Sequence, residues 1–157
     1  MSIDPRTRIG HVHLTVSDLD RSLAFYRDVL GFDETARYGR DAVFVSAGGY
    51  HHHIGLNTWA GRGAPPPPAG TTGLYHFAIL FPDRAALAAA VRRVVEHGVP
   101  LEGASDHGVS EAIYLRDPDG NGIELYRDRP ENEWPRGSDG KIRMHTRPLD
   151  LQALLAE

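Results

Sequence analysis

The chain has 157 residues, of which 41% are hydrophobic and 24% charged, a composition that fits one folded domain and excludes a fibrous or disordered chain. Its net charge of −4 argues against a nucleic-acid partner held through phosphate contacts. The absence of cysteine excludes disulfides, thiolate metal sites and a cysteine nucleophile, so any metal must be bound by imidazole and carboxylate groups.

The N-terminal sequence MSIDPRTRIG lacks the apolar segment of a signal peptide. No stretch of the chain approaches the roughly 20 apolar residues of a membrane-spanning helix. We therefore expect a cytoplasmic protein with neither a membrane partner nor a nucleic-acid partner.

The first predicted module covers residues 9–58 and contains one helix among four strands. Alternating polar and apolar residues predict a strand over residues 9–17. The helix that follows is capped by Ser17 or Asp18, has its apolar residues at helical spacing, and ends at Gly31. Glycine-containing turns separate three further strands, predicted over residues 32–38, 42–46 and 51–58.

A connector rich in glycine and proline, residues 59–73, leads into a second module over residues 74–127. This module has the same βαβββ order, and its alanine-rich helix ends at Gly98. The elements, in chain order, are predicted over residues 74–83, 83–98, 101–106, 110–116 and 122–127.

The two modules repeat each other in the spacing of two landmark residues. His11 precedes the helix cap Asp18 by seven positions, and His76 precedes Asp83 by the same number. The most economical interpretation is one domain over residues 1–157 in which a βαβββ module is duplicated. We predict an α+β fold whose two tandem modules form an open curved sheet around a cleft.

The tail, residues 128–157, is predicted to be a polar loop followed by a short terminal helix. Four leucines near its end must be covered, either by the domain itself or by a second subunit: Leu149, Leu151, Leu154 and Leu155. The sequence assigns the tail no function.

This arrangement of modules, with the residues that fill it, resembles the vicinal oxygen chelate superfamily. That superfamily includes glyoxalase I, fosfomycin- and bleomycin-resistance proteins, and extradiol ring-cleaving dioxygenases. The resemblance covers residues 9–127 and is carried by three segments: HVHLTVSDLDRSLAFYRDVLGF, YHFAILFPDRAAL and YLRDPDGNGIELY. It implies that the cleft between the modules binds a metal ion.

The metal ligands of this superfamily come from the opening strand of each module and from the last strand. Carried onto this chain, the resemblance implies that His11, His76 and Glu124 are the ligands. Two imidazoles and one carboxylate on one face of an ion are typical of non-haem Fe(II), and Mn(II) is the alternative. His13 lies on the same side of its strand and could replace His11, which we favour because its position matches that of His76.

The end of the second module resembles the signature of the extradiol dioxygenases. His107, Tyr114 and Glu124 have its spacing, and the turn DPDG lies between the last two. In those enzymes the His and Tyr line the substrate site and the Glu binds iron, so the resemblance implies the same roles here. Ser105 departs from the pattern, which has an apolar residue, Gly, Asn or Thr two positions before the His.

Three consecutive histidines, in YHHHIGLN at residues 50–57, lie on the strand that carries an acid–base histidine in extradiol enzymes. Side chains alternate along a strand, so His51 and His53 are predicted to face one way and His52 the other. A register taken from ring-cleaving enzymes selects His52. A register taken from glyoxalases places Gly55 at a ligand position and turns His53 into the cleft. We favour His53 but leave the choice open.

The resemblance implies a metal-dependent extradiol-type dioxygenase acting on a catecholic substrate and O2. The histidine of the triple run would move a phenolic proton. Tyr114 would hydrogen-bond the ketonised ring oxygen, and His107 would steady the substrate oxygen at the metal. The family also implies a homodimer.

Other activities on the same scaffold are the alternatives. They are a glyoxalase-like isomerase, a fosfomycin-type thiol transferase and a metal-free protein of the bleomycin-binding kind. Glyoxalase I has an additional acidic ligand in the first module, and the chain has no Asp or Glu between Ala42 and Pro82. A four-ligand isomerase site is therefore not expected.

Overall fold

The computed structural model describes residues 2–157, which fall into two compact units, residues 2–66 and 67–157. The boundary between the units lies inside the run of four prolines of the predicted connector. Proline has no backbone N–H to donate, so this run cannot continue either sheet. Each unit has one sheet of its own.

The first unit has the predicted βαβββ order. Its elements are β1 Val12–Thr15, α1 Leu19–Leu23 followed by a π-helical turn Ala24–Val29, β2 Asp33–Tyr38, β3 Ala42–Ser46 and β4 Ile54–Asn57. In the sheet β1 runs parallel to β4, and β3 and β2 follow in antiparallel order. The side chains of Val43, Val45 and Leu56 on the two central strands are fully buried and form the core of this unit.

Two strands of this unit are shorter than the sequence pattern predicts. The first begins at Val12 instead of residue 9, and the fourth begins at Ile54 instead of residue 51. The parallel ladder between them pairs only four residues of each strand, from Val12 and Ile54 onward. Residues 51–53 therefore precede the strand and lie in a bend, where the regular alternation of side chains does not apply.

The helix of the first unit begins and ends as predicted but changes type in its middle. Asp18 caps it by accepting a hydrogen bond from a backbone N–H of the first turn at 2.8 Å, and Gly31 ends it at a φ of 86°. In the second half the N–H of Leu30 donates to the carbonyl of Phe25, 2.9 Å away, which makes a π-type turn. Phe25 and the adjacent Tyr26 are both buried in this wider turn.

The second unit repeats the order of the first and adds elements at its end. These are β5 Phe77–Leu80, α2 Arg84–Glu96, β6 Leu101–Asp106, β7 Ser110–Arg116, β8 Gly122–Asp128, a 3-10 turn Glu131–Glu133, β9 Arg147–Pro148 and α3 Leu151–Leu155. The sheet order is β5-β8-β7-β6-β9. No helix formed by residues 2–157 is both long and apolar enough to cross a membrane.

The internal repeat predicted from the sequence is confirmed in the pairing of the strands. The opening strand of each unit runs parallel to the last strand of its module, with Val12 opposite Ile54 and Phe77 opposite Ile123. Counted from these pairs, the position that Glu124 has on β8 belongs to a glycine on β4, Gly55.

The tail is more ordered than the predicted polar loop. Its strand β9 pairs with β6 through Pro148 opposite Ser105, and its terminal helix α3 confirms the predicted one. Leu154 of that helix is fully buried, and α3 packs on α2 of the same unit. This leucine is therefore covered by its own chain, and it gives no support to the expected homodimer.

A buried carboxylate joins α2 to the sheet of the second unit. Glu111 on β7 is 4% exposed and accepts hydrogen bonds from three guanidinium groups. The distances are 3.2 Å to Arg84 Nε, 2.9 Å to Arg127 Nε and 3.1 Å to Arg129 Nη2. Removing one member of such a buried charged cluster leaves the others without a partner, so the cluster depends on every member.

Replacing this carboxylate tests the cluster. Glu111→Ala leaves guanidinium groups without their buried partner, so we expect the free energy of unfolding to fall by about 3–5 kcal/mol. The matched control is Glu102→Ala, which removes an exposed ion pair with Arg116 and should cost less than about 1 kcal/mol. Urea denaturation followed by circular dichroism gives both values. Equal losses in the two variants would contradict the structural role of Glu111.

Candidate functional site

The imidazole and carboxylate candidates of the second unit meet where β5 runs beside β8. His76 directly precedes β5, and Glu124 lies on β8 opposite Ala78. Nε2 of His76 is 3.0 Å from Oε2 of Glu124, and both side chains are mostly buried. Two donor atoms that bind one ion at about 2.1 Å and at a right angle are about 3.0 Å apart. The pair therefore fits two adjacent coordination positions of one metal ion.

A glycine allows this approach of the two strands. A Cβ added to Gly122 would overlap the carbonyl oxygen of Tyr75 and would lie 3.0 Å from Cβ of His76. Any larger residue at this position must displace the backbone that carries the imidazole. Gly122 is the last residue of the DPDGNG turn. The close approach of the two strands therefore explains why the motif ends in glycine.

The same turn sets the direction in which β8 leaves it. Asp117 is 5% exposed and accepts hydrogen bonds from the backbone N–H groups of Asp119 and Asn121, at 2.9 and 2.8 Å. It also accepts one from the Asn121 amide at 2.8 Å. An aspartate that binds the backbone N–H groups after it fixes a tight turn, which here begins the strand of Glu124.

Tyr114 and His107 extend the site across the sheet. Tyr114 lies on β7 directly opposite Glu124, and its hydroxyl is 3.3 Å from Oε1 of that carboxylate. On its other side the hydroxyl is 2.7 Å from Nε2 of His107, which follows β6. Four predicted site residues of the second unit, His76, Glu124, Tyr114 and His107, are thus joined in one chain of contacts.

The surroundings of Tyr114 keep its phenol protonated. Burial raises the pKa of Tyr114 to about 12, and the negative charge of Glu124 contributes to the increase. The phenol is therefore neutral, and a hydrogen-bond donor, throughout the neutral pH range. At this place the phenol can donate a hydrogen bond to an oxygen atom of a bound molecule and so stabilise negative charge that develops there.

His11 and His13 of the first unit have different surroundings. His11, one residue before β1, packs its ring against that of His52, with centroids 4.5 Å apart. His13, on β1, lies between Phe44 and Trp59, with centroid distances of 5.7 and 5.3 Å. Burial, helped by the His11 imidazole, lowers the pKa of His13. His11 holds the place before β1 that the other imidazole candidate holds before β5.

The three histidines of the run differ in what their rings contact. His52 lies against the ring of His11, and its Nδ1 is 2.8 Å from Nδ1 of His51. Burial, followed by the positive charge that His11 and His51 can carry, lowers the pKa of His52. Nδ1 of His53 lies instead 2.8 Å from the hydroxyl of the buried Ser46. His52 shares the surroundings of His11, and Ser46 holds His53.

Neither unit alone contains three metal ligands. Within residues 2–66, and likewise within residues 67–157, no three His, Asp or Glu side chains are grouped closely enough to hold a metal ion. The second unit supplies one imidazole and one carboxylate, which are donors that Fe(II) and Mn(II) accept. The third predicted ligand, His11, belongs to the first unit, and the three-ligand set stays a prediction.

A pocket opens in the second unit beside these donors. His76 and Tyr114 are among its lining residues, and so are the ion-paired Arg116 and Glu102. Nε of Arg116 is 2.7 Å from Oε1 of Glu102. A small molecule that enters this pocket meets the imidazole and the phenol of the site together.

Some contacts at the site have no signal in the sequence. The carbonyl of His145 and the hydroxyl of Thr146, both in the tail, lie 3.1 and 3.3 Å from Nδ1 of His107. Every residue has a carbonyl, so no side-chain pattern could point to the first contact. Of the aromatic residues beside His13, Phe44 was predicted only as part of a strand and Trp59 only as part of the connector.

The steric role of Gly122 is testable by adding one methyl group. Gly122→Ala should displace His76 and lower the affinity for Mn(II) by about 10- to 100-fold, the usual effect of disturbing the support of a ligand. The control is Gly103→Ala in the same sheet, where an added Cβ meets only Tyr114 at an ordinary 3.8 Å. Calorimetric titration with Mn(II) compares the variants. Unchanged affinity in Gly122→Ala would contradict the assignment of His76.

The raised pKa of Tyr114 predicts a late ionisation. At about pH 10.5 an ordinary tyrosine is mostly ionised, whereas Tyr114 should still hold its proton. The ultraviolet absorbance of tyrosinate is titrated in the metal-free protein and in Tyr114→Phe. The difference between the two curves should have its midpoint near pH 12. A midpoint near pH 10 would show that neither burial nor Glu124 acts on this phenol.

Comparison with known proteins identifies the family of this chain. The profile of the Glyoxalase/Bleomycin resistance protein/Dioxygenase superfamily matches residues 8–125. The chain is 45% identical to catechol-2,3-dioxygenase of Bacillus subtilis (strain 168), over 99% of this chain and 54% of that protein. It is 33% identical to biphenyl-2,3-diol 1,2-dioxygenase 3 of Rhodococcus globerulus, over 82% of this chain and 66% of that protein.

A solved structure gives the same result. Lactoylglutathione lyase from Agrobacterium tumefaciens is similar with a TM-score of 0.60 and 28% identity, over 79% of this chain and 96% of that one. The chain spans about half the length of the Bacillus relative. Because the profile covers more than half of the chain, the chain belongs to the glyoxalase/bleomycin resistance protein/dioxygenase superfamily.

Proposed function

We propose that this chain acts as a metal-dependent extradiol-type dioxygenase, which opens a catecholic ring with O2. The observation that carries the proposal is the chain of contacts from His107 through Tyr114 and Glu124 to His76. It brings a hydrogen-bonding histidine and a protonated tyrosine to the carboxylate that would bind the metal. The names of the Bacillus and Rhodococcus relatives support the same activity.

His76, Glu124 and His11 are the proposed ligands, and Fe(II) or Mn(II) is the ion that two imidazoles and a carboxylate suit. The ion would supply Lewis acidity and open positions for the substrate oxygens and O2. The contribution of the protein is orientation. The close approach at Gly122 holds the imidazole beside the carboxylate, so the donors are arranged before the ion arrives.

The reaction needs no oxidant other than O2. Both oxygen atoms of O2 end in the product, and the carbon–carbon bond that breaks lies beside the hydroxyl-bearing carbons. The product therefore has the composition of the substrate plus O2, and no external reductant is consumed. The protein must only bind the catechol, move a phenolic proton and stabilise charge on the ring oxygens.

We propose His52 as the group that takes the phenolic proton and later returns it. Its ring contacts that of the proposed ligand His11, with 4.5 Å between the centroids. His53, which the sequence favoured, is held by the hydroxyl of Ser46 and by the backbone N–H of Ala47. A base must reach the proton that it removes, so the histidine beside the ligand has the better position.

Tyr114 is proposed to act on a substrate oxygen, and His107 is proposed to act through Tyr114. The Tyr114 hydroxyl lies next to Oε1 of Glu124, and when substrate is bound its proton can turn from its protein partner to a ring oxygen that becomes a carbonyl oxygen. His107 is the second partner of that hydroxyl, at 2.7 Å. Through this contact it orients the phenol toward the substrate.

Isomerase and resistance activities on the same scaffold have a weaker basis in this chain. Gly55 has the strand position on β4 that Glu124 has on β8, so the first unit offers no carboxylate at the equivalent place. A thiol transferase requires the same ligand types but not the hydrogen-bonded pair of Tyr114 and His107. A metal-free binding protein requires neither the ligands nor this pair.

The proposed activity predicts oxygen uptake that depends on both metal and catechol. The protein is loaded with Fe(II) or Mn(II) without air and then mixed with aerated catechols that differ in ring substituents. We expect one O2 consumed per catechol and a coloured ring-opened product. Turnover of a hemithioacetal or of an epoxide with a thiol, without turnover of any catechol, would reject the dioxygenase and support one of the alternatives.

The choice of acid–base histidine predicts unequal effects of two adjacent substitutions. His52→Asn should lower kcat for catechol cleavage by about 100- to 10,000-fold because the proton has no acceptor. His53→Asn, the matched control, should retain most of the activity. The metal content of both variants is measured alongside, since His52 contacts a proposed ligand. The reverse order of effects would assign the role to His53.

A further inference from the structure

The C-terminal tail reaches the site at the ring of His107. The family profile ends at residue 125, so residues 126–157 lie beyond the part of the fold that it describes. In this region the backbone of His145 pairs with that of His107: the N–H of His145 donates to the carbonyl of His107 at 3.2 Å. The carbonyl of His145 lies 3.1 Å from Nδ1 of the His107 ring.

We propose that the tail positions His107, because the His145 carbonyl fixes the tautomer that has its proton on Nδ1 and the lone pair of Nε2 facing Tyr114. A carbonyl oxygen only accepts hydrogen bonds, so Nδ1 must be the donor in this contact. In a neutral imidazole the other nitrogen then accepts. This inference deepens the proposed function and rests on it for the role of His107 in the reaction.

The tautomer decides where the proton of Tyr114 points. With Nε2 as an acceptor, the phenol donates its single proton to His107, 2.7 Å away, and not to Glu124, 3.3 Å away. Both oxygens of the carboxylate then keep their lone pairs for other partners. With the opposite tautomer Nε2 would donate to the phenol oxygen and turn the phenol proton toward Glu124. The His145 carbonyl thus affects a group that it does not touch.

The tail is held against His107 from both sides. Before the contact, the tail packs on the turn that follows His107: a Cβ added to Gly108 would lie 2.6 Å from Cε1 of His145 and 2.8 Å from Cγ of Pro135. After the contact, β9 pairs with β6, and the N–H of Leu149 donates to the carbonyl of Ala104 at 3.2 Å. The carbonyl of His145 is therefore a fixed acceptor.

The experiment reads the tautomer directly, in the metal-free protein. Long-range proton–nitrogen NMR spectra of the protein labelled with 15N-histidine distinguish the two neutral forms of each imidazole at alkaline pH. The His107 signals are those missing from His107→Asn. We expect the form protonated on Nδ1. Finding the proton on Nε2 in the unmodified protein overturns the inference without any variant.

Two glycine variants with similar backbone strain test whether the tail is the cause. Gly108 and Gly140 have φ values of 76° and 75°, but a Cβ on Gly140 meets nothing within 4 Å. A Cβ at Gly108 would crowd the side-chain rings of His145 and Pro135. We therefore expect Gly108→Ala to loosen the tail from His107 and shift the His107 ring toward the other tautomer, whereas Gly140→Ala should not. Identical spectra for both variants reject the role of the tail.

A third variant separates the two tail atoms near Nδ1. Thr146→Val removes the hydroxyl that lies 3.3 Å from Nδ1 and leaves the His145 carbonyl in place. An unchanged tautomer supports the carbonyl, and a changed one rejects it as the determinant.

Kinetics then connect the tautomer to the reaction. In Gly108→Ala we expect kcat for catechol to fall by about tenfold with KM little changed. The reason is that His107 orients the Tyr114 hydroxyl and does not itself bind the substrate. Loss of the tautomer without loss of kcat rejects the link to catalysis. If no catechol is turned over by the unmodified protein, the proposed function fails while the NMR result for His107 stands on its own.

Discussion

The site of the second unit depends on the parallel pairing of β5 with β8. Parallel strands bring side chains from distant parts of the sequence to the same level of a sheet, and here they bring His76 to Glu124. The separation of 3.0 Å requires that nothing larger than hydrogen projects from Gly122. The absence of a side chain at this one position therefore determines how closely the imidazole and the carboxylate approach each other.

Other contacts within the unit support this pairing of β5 with β8. Tyr114 lies on the neighbouring strand opposite Glu124, with its hydroxyl 3.3 Å from Oε1 of that carboxylate, so the polar contacts continue across the sheet. Elsewhere on β7, Glu111 anchors the strand to α2 and β8 through three guanidinium groups. A strand held in this way has little freedom to change its register, which keeps the phenol in place. The tail then acts on the same line of residues through His107.

Much of this architecture was predictable, because periodicity and caps are local properties. The helix caps Asp18 and Asp83, the helix ends and the order of strands follow from the sequence pattern. The orientation of His52 and His53 was not predictable, because the prediction assumed a strand where the chain bends before β4. Contacts made through the backbone, such as that of the His145 carbonyl, also leave no trace in the residue types.

The two modules have the same strand pairing but different side chains at equivalent positions. In the first unit, His13 lies opposite Gly55, and a Cβ on that glycine would come within 2.9 Å of the His13 ring. The imidazole thus occupies the space that a side chain at this position would need. In the second unit the equivalent pair is Ala78 and Glu124, so the opening strand has a small residue where the partner strand has the carboxylate. At equivalent positions the first unit therefore pairs an imidazole with a glycine, and the second unit pairs an alanine with a carboxylate.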